Sequence, residues 1–288
     1  MSHPVIEAMA GAAGGLASAV LLTPFDVLRV RLQVARHGEG YVSARAAVRT
    51  VWAAEGMRGF WRGFGTAAAL APAFWACYYP LYMAWSPWMS KPVAAVVAGL
   101  VGDLVTYPAW TARTRLQTQH MHSAAGEHGR VHFRGPVQAV AHIARVEGIA
   151  ALYAGFPASC ASTLQYALLF PLYDATKSWA SPDGKPPFWL AVALSAGCKS
   201  IASVVSYPFE LIRARLQDQA PSAGRKSMYN GSLHALRSIC AHEGVTGLYA
   251  GFGVHLARSV PGTAVTMATY DAVCALIQYE EGKYSVRW

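Results

Sequence analysis

Charge is the scarce commodity of this chain. Asp, Glu, Lys and Arg make up 14% of its 288 residues, against about 25% in a soluble domain. With 54% apolar residues, the composition excludes a disordered or nucleic-acid-coating chain, and no nucleic acid is expected as a partner. The five cysteines, at 77, 160, 198, 240 and 274, form no C-x-x-C pair, which excludes a disulfide framework or a cysteine zinc site. Met1 to Glu7 has no basic n-region and no Arg-rich amphipathic stretch, so no cleaved leader is expected and targeting is internal. A Gly-rich nucleotide fingerprint is also missing. Gly11, Gly14 and Gly15 lie in an apolar stretch, where small residues let helices approach closely.

What is present is membrane composition. A crossing needs about 20 mostly apolar residues. Ala8 to Phe25, Gly63 to Ser90 and Gly148 to Tyr173 carry no charge, while Pro92 to Ala112 contains only Asp103, Pro186 to Phe209 only Lys199, and Gly244 to Tyr270 only Arg258. Six crossings put both termini on one side. The Lys/Arg-rich connections after residues 29, 113 and 213 then share the opposite, positive-inside face.

The chain also repeats itself three times. Pro24-Phe-Asp26-Val-Leu-Arg29-Val-Arg31-Leu-Gln33 recurs as Pro108-Ala-Trp110-Thr-Ala-Arg113-Thr-Arg115-Leu-Gln117 and as Pro208-Phe-Glu210-Leu-Ile-Arg213-Ala-Arg215-Leu-Gln217. Each copy is followed by a second phrase: Glu55-Gly56 to Trp61-Arg62-Gly63, Glu147-Gly148 to Tyr153-Ala154-Gly155, and Glu243-Gly244 to Tyr249-Ala250-Gly251. The expected repeats span 1–90, 91–186 and 187–288. Each reads as a helix ending near a Pro, a basic loop with a short amphipathic helix, and a second membrane helix. Proline in a membrane helix removes a hydrogen bond and kinks it, so three equivalent kinks would gather the odd-numbered helices into a cone. Charges at Pro+2 and Pro+5 share a helical face. They can offer an acid and a base to neighbouring helices, a ring of breakable ion pairs with Gln33, Gln117 and Gln217 one turn beyond. The plainer alternative is a set of interfacial charges snorkelling at helix ends.

The tripled Pro-x-Asp/Glu-x-x-Lys/Arg-x-Lys/Arg signature, with its following acidic-Gly phrase, resembles the mitochondrial carrier family over the whole chain. The resemblance implies an all-α membrane protein with six transmembrane helices in a pseudo-threefold mitochondrial carrier bundle. Its central cavity would open alternately to the intermembrane space and the matrix of the inner mitochondrial membrane, with both termini toward the intermembrane space. It also implies a matrix gate of Asp26, Arg29, Gln33, Trp110, Arg113, Gln117, Glu210, Arg213 and Gln217. Trp110 replaces the second acid, and Ala154 and Ala250 replace a base. With the family's pairing order, Asp26 meets Arg113 and Glu210 meets Arg29, leaving Arg213 without an acid. The cytosolic gate implied on even-numbered helices is thinner. Tyr173-Asp174 to Lys177 is complete, Tyr270-Asp271 lacks its base and Tyr82-Met83 lacks both charges, so that only Lys177 to Asp271 can form.

Ionisable residues inside membrane spans are functional candidates by default: Asp103, Lys199 and Arg258. Repeat alignment puts Arg258, Ser162 and Leu70 at one depth, each seven residues after its repeat's Gly. Trp75, Tyr78 and Tyr82 follow helical spacing on one face, and Ser162, Thr163 and Tyr166 do the same on the fourth helix. These nine positions, Leu70 aside, form the expected substrate site. Two plainer readings stand beside it: the rings as an interfacial belt, and an Asp103–Lys199 ion pair that merely neutralises a buried charge. Cations beside stacking rings suit a flat heterocyclic anion. Pro108-Ala-Trp110, Lys199 and the stretch Arg213 to Gln219 are similar to the carrier branch for folate, FAD, NAD and pyrimidine nucleotides. Against that branch, Ser162 stands where Gly is typical and Gln165 where His is often seen.

The expectation is a transporter and not an enzyme, with folate or FAD as cargo, NAD or a pyrimidine nucleotide as the alternative, and no resident cofactor. Its partners would be a small anionic substrate and membrane lipid, and the protein a monomer. An enzyme reading would rest on His120, His122, His128 and His132 as metal ligands; the segment otherwise reads as a solvated loop, and no metal is expected. A non-transporting receptor or an ion-leak protein is the third class, kept open by the incomplete gates.

Overall fold

The computed structural model describes residues 3–35, 41, 43–124, 132–162, 164–181, 187–219 and 228–258, with 261, 262, 265, 269 and 272. Among them every regular element is helical. Three long helices, α1 (His3–Val34), α4 (Lys91–Ala124) and α9 (Phe188–Asp218), each touch the other two and make a closed ring. Between them run α2 (Ala44–Glu55), a 3₁₀ turn (Met57–Trp61) and α3 (Phe64–Trp85), then α5 (Pro136–Val146), α6 (Ile149–Leu152), α7 (Phe156–Ser162) and α8 (Leu164–Ala180). α10 (Ser232–Gly247) and a helical segment at 252–258 complete the described chain.

The long helices do not end near their prolines. Pro24, Pro108 and Pro208 are all internal, so the Pro signatures lie on helix and not in a loop. Two of these helices show how the break is absorbed. Pro24 cannot donate to the Val20 carbonyl four residues back, and Trp61 Nε1 donates to that carbonyl at 3.2 Å instead. Pro208 leaves the Val204 carbonyl in the same way, and the Tyr249 hydroxyl donates to it at 3.0 Å. The aromatic of the second phrase thus supplies the donor that the proline of the first lacks, and leaving that acceptor empty in an apolar medium would cost far more than elsewhere. Tyr107 and Tyr207, each preceding a proline, donate to the carbonyls of Ala154 (3.1 Å) and Ala250 (2.8 Å).

The short helices bury the same two positions in each repeat. Ala47 and Val51, Ala139 and Ile143, and Ala235 and Ile239 are at most 1% exposed, an i, i+4 stripe facing the bundle. The following membrane segments start later than the uncharged runs suggested, at Phe156 and residue 252. The reason is Gly155 (φ +82°) and Gly251 (φ +79°), whose left-handed backbone ends one helix and turns the chain into the next. A Cβ on Gly155 would lie 3.2 Å from the Arg213 backbone, and one on Gly251 3.1 Å from Leu32 Cβ, so glycine is required twice over. Of the six candidate runs, only those with Asp103 and Lys199, on Val93–Met121 and Trp189–Asp218, are long and apolar enough by hydropathy among the described residues. α3 is uncharged but carries Trp, Tyr and two prolines, which lower its hydropathy without adding charge.

Candidate functional site

The ring of long helices encloses a polar cavity of about 340 Å³. Five cations line it, Arg29, Arg113, Lys199, Arg213 and Arg258, against the three carboxylates Asp26, Asp103 and Glu210. Trp110, Ser162, Gln165 and His255 complete the parts of the wall that matter chemically. A volume in this range and a wall with net positive charge suit a small anion.

At one end the Pro+2 and Pro+5 side chains pair between helices. Arg113 Nη2 donates to Asp26 Oδ2 at 3.0 Å, and Arg29 Nη2 to Glu210 Oε2 at 2.5 Å. Arg213 has no carboxylate partner among the described residues; its Nη1 donates to Ser159 Oγ at 3.3 Å. Trp110, where an acid would complete the ring, lies under Arg113 with the guanidinium carbon 5.4 Å from the ring centre. The three joints are therefore chemically different.

One layer further along the helices a second ring is threefold complete, and local sequence reading had not singled it out. Arg31 Nε donates to the Gln117 carbonyl at 2.9 Å, Arg115 Nε to the Gln217 carbonyl at 3.0 Å, and Arg215 Nε to the Gln33 carbonyl at 2.9 Å. Each repeat thereby ties to the next. The same arginines pair with the acid of their own repeat's second phrase: Arg31 with Glu55 at 2.5 Å, Arg115 with Glu147, and Arg215 with Glu243. Burial opposes ionisation of Glu55, but hydrogen bonds from Arg31 and Arg62 outweigh it and hold the carboxyl below the ordinary glutamate value. The signal was the second basic residue of the signature, recurring with the Glu-Gly pair. The glutamines contribute through their backbones as much as their side chains: Gln217 Oε1 accepts from Thr114 Oγ1 at 2.9 Å, and Gln117 Nε2 reaches the Arg62 carbonyl at 3.4 Å.

The expected substrate residues divide. Asp103, Ser162, Lys199 and Arg258 line the cavity. Asp103 and Lys199 share it without an ion pair between them among the described contacts, so the neutralising pair is not formed. Arg258 is not a free guanidinium awaiting an anion, for its Nε lies 3.0 Å from Asp26 Oδ1 in an ion pair without hydrogen-bond alignment. Asp26 thus takes one guanidinium on each oxygen. Leu70 is 4% exposed and packed away from the cavity wall. Trp75, Tyr78 and Tyr82 form a ladder on α3, with Tyr78 and Tyr82 stacked at 5.9 Å and 5° and Trp75 edge-on to Tyr78 at 5.4 Å, but none of the three lines this cavity. Thr163, the Tyr166 side chain and Asp271 lie outside the described residues. Asp174 is exposed and Lys177 half-buried on α8. His120 and His132 meet edge to face at 4.9 Å; the His122 side chain and His128 lie outside the described residues, and no group of three metal-capable side chains exists among those described.

A family model described as mitochondrial carrier protein matches the chain three times, over residues 1–92, 84–183 and 184–281. The chain is 31% identical over 288 residues to the Arabidopsis thaliana protein named nicotinamide adenine dinucleotide transporter 2, mitochondrial, covering 92% of this chain and 77% of that one. It is 29% identical to the chloroplastic nicotinamide adenine dinucleotide transporter 1 of the same plant, covering 94% of each. It is 30% identical to that plant's chloroplastic folate transporter 1, covering 94% of this chain and 95% of that one.

Proposed function

This chain belongs to the mitochondrial carrier family, an all-α fold of six membrane helices whose members are transporters and not enzymes, and we propose that it moves a heterocyclic anionic cofactor by alternating access. The observation that carries the reading is the cavity itself, with five cations against three carboxylates and the Trp110 ring on its wall. The names of its relatives support NAD or folate as first candidates, ahead of FAD and the pyrimidine nucleotides. The Asp26–Arg113 and Glu210–Arg29 pairs act as the matrix gate, and the pair Lys177–Asp271 as the cytosolic one. Arg258, Lys199 and Arg213 take the anionic groups, while Ser162 offers a hydroxyl and Trp75, Tyr78 and Tyr82 a stacking surface on the entry path. No bond is made or broken, so no resident cofactor is required.

Cargo binding has a built-in consequence for the gate. An anion that takes Arg258 takes it from Asp26, which removes the extra cation that reinforces the α1–α4 joint beside the Asp26–Arg113 pair. The protein sits in the inner mitochondrial membrane in this reading, as a monomer with its termini toward the intermembrane space, and its three repeats span 1–90, 91–186 and 187–288. Uptake into liposomes tests the cargo: purified protein should accumulate NAD or folate, and an Arg258→Ala variant should not. Failure with NAD, folate, FAD and pyrimidine nucleotides alike would sink the assignment. Ion conductance without any solute exchange would favour the leak-protein class instead.

A further inference from the structure

One buried histidine joins the cavity to the gate, and the hydrogen bonds around it fix its chemistry. Arg29 Nη1 lies 3.1 Å from His255 Nδ1. A guanidinium only donates, so Nδ1 is the acceptor and the proton sits on Nε2. That nitrogen lies 2.9 Å from Ser203 Oγ. Ser203 also receives Gln165 Nε2 at 3.0 Å and donates to the Lys199 carbonyl at 2.7 Å, so its hydroxyl accepts twice and donates once, with every role filled. Gln165 Oε1 accepts in turn from Ser206 at 3.3 Å. The chain Gln165–Ser203–His255–Arg29 ends on the Glu210 carboxylate. It passes from the cavity wall on α8, through α9 and the 252–258 segment, to the ring on α1.

We propose that neutral His255 is a positioning residue for the gate: it fastens Arg29 in line with Glu210 and links that joint to the cavity through Ser203 and Gln165. The repeat geometry supports this. His255 and Ser159 both stand four residues after their repeat's glycine, and Ser159 holds Arg213 as His255 holds Arg29. The equivalent position of the first repeat is Ala67, beside a joint that Arg258 reinforces instead. Among the described residues the charged neighbours of His255 include Arg29 on α1, Lys199 and Glu210 on α9, and Arg258 on its own segment, with the Tyr207 ring packed 5.4 Å away. Three of those four charges are positive. A second proton on the imidazole would remove the acceptor from Arg29 and set a cation against it, so acid should loosen the matrix-closed form.

The chain belongs to this proposal whether or not the cargo assignment holds, because the test uses no cargo. The full-length protein in detergent is unfolded by heat between pH 8 and pH 5.5. His255→Asn keeps an acceptor near the Nδ1 position and does not titrate; His255→Phe has no acceptor. At pH 8 the Asn variant should melt close to the wild type and the Phe variant lower by about 2–4 °C, the shift expected for one modest interaction in a chain of this size. Between pH 8 and 5.5 the wild type should lose about 2–4 °C more than His255→Asn. In an Arg29→Ala background the difference between His255→Phe and His255→Asn should vanish, since both lose the bond to Ser203 and differ only in the acceptor for Arg29. Parallel pH curves for wild type and His255→Asn, a Phe variant as stable as wild type at pH 8, or a Phe–Asn difference that persists without Arg29 would each overturn the proposal.

Discussion

Asp26 and Glu210 look equivalent in the sequence, yet the structure gives them unequal burdens. Asp26 carries a guanidinium at each oxygen, Arg113 hydrogen-bonded and Arg258 ion-paired, both at 3.0 Å, while Glu210 pairs with Arg29 alone among the described residues of the ring. Hydrogen bonds to charged groups contribute about 1.5–3 kcal/mol each. The Arg258 side chain is 27% exposed, which puts its share at the lower end. Asp26→Asn, which leaves one neutral acceptor and turns an amide N–H toward a guanidinium, should therefore cost about 3–4 kcal/mol. Glu210→Gln should cost about 1.5–3 kcal/mol, since Arg29 keeps His255. At about 2–4 °C per kcal/mol, Asp26→Asn should lower the melting temperature by about 6–16 °C and Glu210→Gln by less, about 3–12 °C. In an Arg258→Ala background, the Asp26→Asn loss should fall to the Glu210→Gln level. Thermal unfolding of the wild type, the three single variants and the Asp26→Asn/Arg258→Ala double variant in one detergent decides the matter. Equal losses for the two acids, or strict additivity of Asp26→Asn with Arg258→Ala, would refute a doubly loaded Asp26.

Three further outcomes follow from named contacts. Glu55 is held ionised by Arg31 and Arg62 below its ordinary value, so the stability it supplies is present above about pH 4.3 and is lost as pH falls through the lower folded value; a Glu55→Gln variant should melt below the wild type at neutral pH, and the gap should close in strong acid. Tyr249→Phe should empty the Val204 carbonyl at a cost of about 1–3 kcal/mol, and adding Pro208→Ala should recover part of it by restoring the helical donor; no recovery would mean that the hydroxyl acts elsewhere. Trp110→Glu should give Arg213 a carboxylate, raising the melting temperature by a few degrees while weakening binding of an anionic cargo about tenfold, roughly 1.4 kcal/mol; weaker binding without added stability would show that Arg213 does not turn to the new acid.

The sequence disclosed most where a physical requirement recurred three times. The six repeat glycines all take positive φ, and the acid–base pairs Asp26–Arg113 and Glu210–Arg29 join the helices that the family's pairing order implied. What stayed hidden were partners with no fixed register. A proline announces a lost donor but not which aromatic replaces it, and the answers, Trp61 and Tyr249, sit about forty residues downstream. Arg258 reads as an intramembrane charge, but only three-dimensional proximity reveals that Asp26 already holds it. His255 has no pattern at all in one dimension, because its meaning depends on Arg29, more than two hundred residues away. The α3 aromatics illustrate the converse: their spacing correctly forms a ladder, yet helical periodicity cannot say which cavity or surface a face meets.

The departure at position 110 links these observations. Losing an acid from a ring of ion pairs ought to weaken the α4–α9 joint, but that joint carries other bonds. Thr114 donates to Gln217 at 2.9 Å and Thr118 to Asp218 at 2.5 Å, and Arg115 clasps the Gln217 carbonyl beside them. Short hydroxyl donors fixed on a helix lose little freedom when they bond, whereas a long ion pair must repay the desolvation of two charges. The joint is thus held below the ring while Arg213, whose one hydrogen-bond partner among the described residues is the Ser159 hydroxyl, faces the cavity. A carboxylate at 110 would neutralise that cation; a tryptophan leaves it charged and adds an aromatic face to the same wall. The incomplete ring thus leaves a cation and an aromatic face on one wall, an arrangement that fits the anionic cargo proposed above.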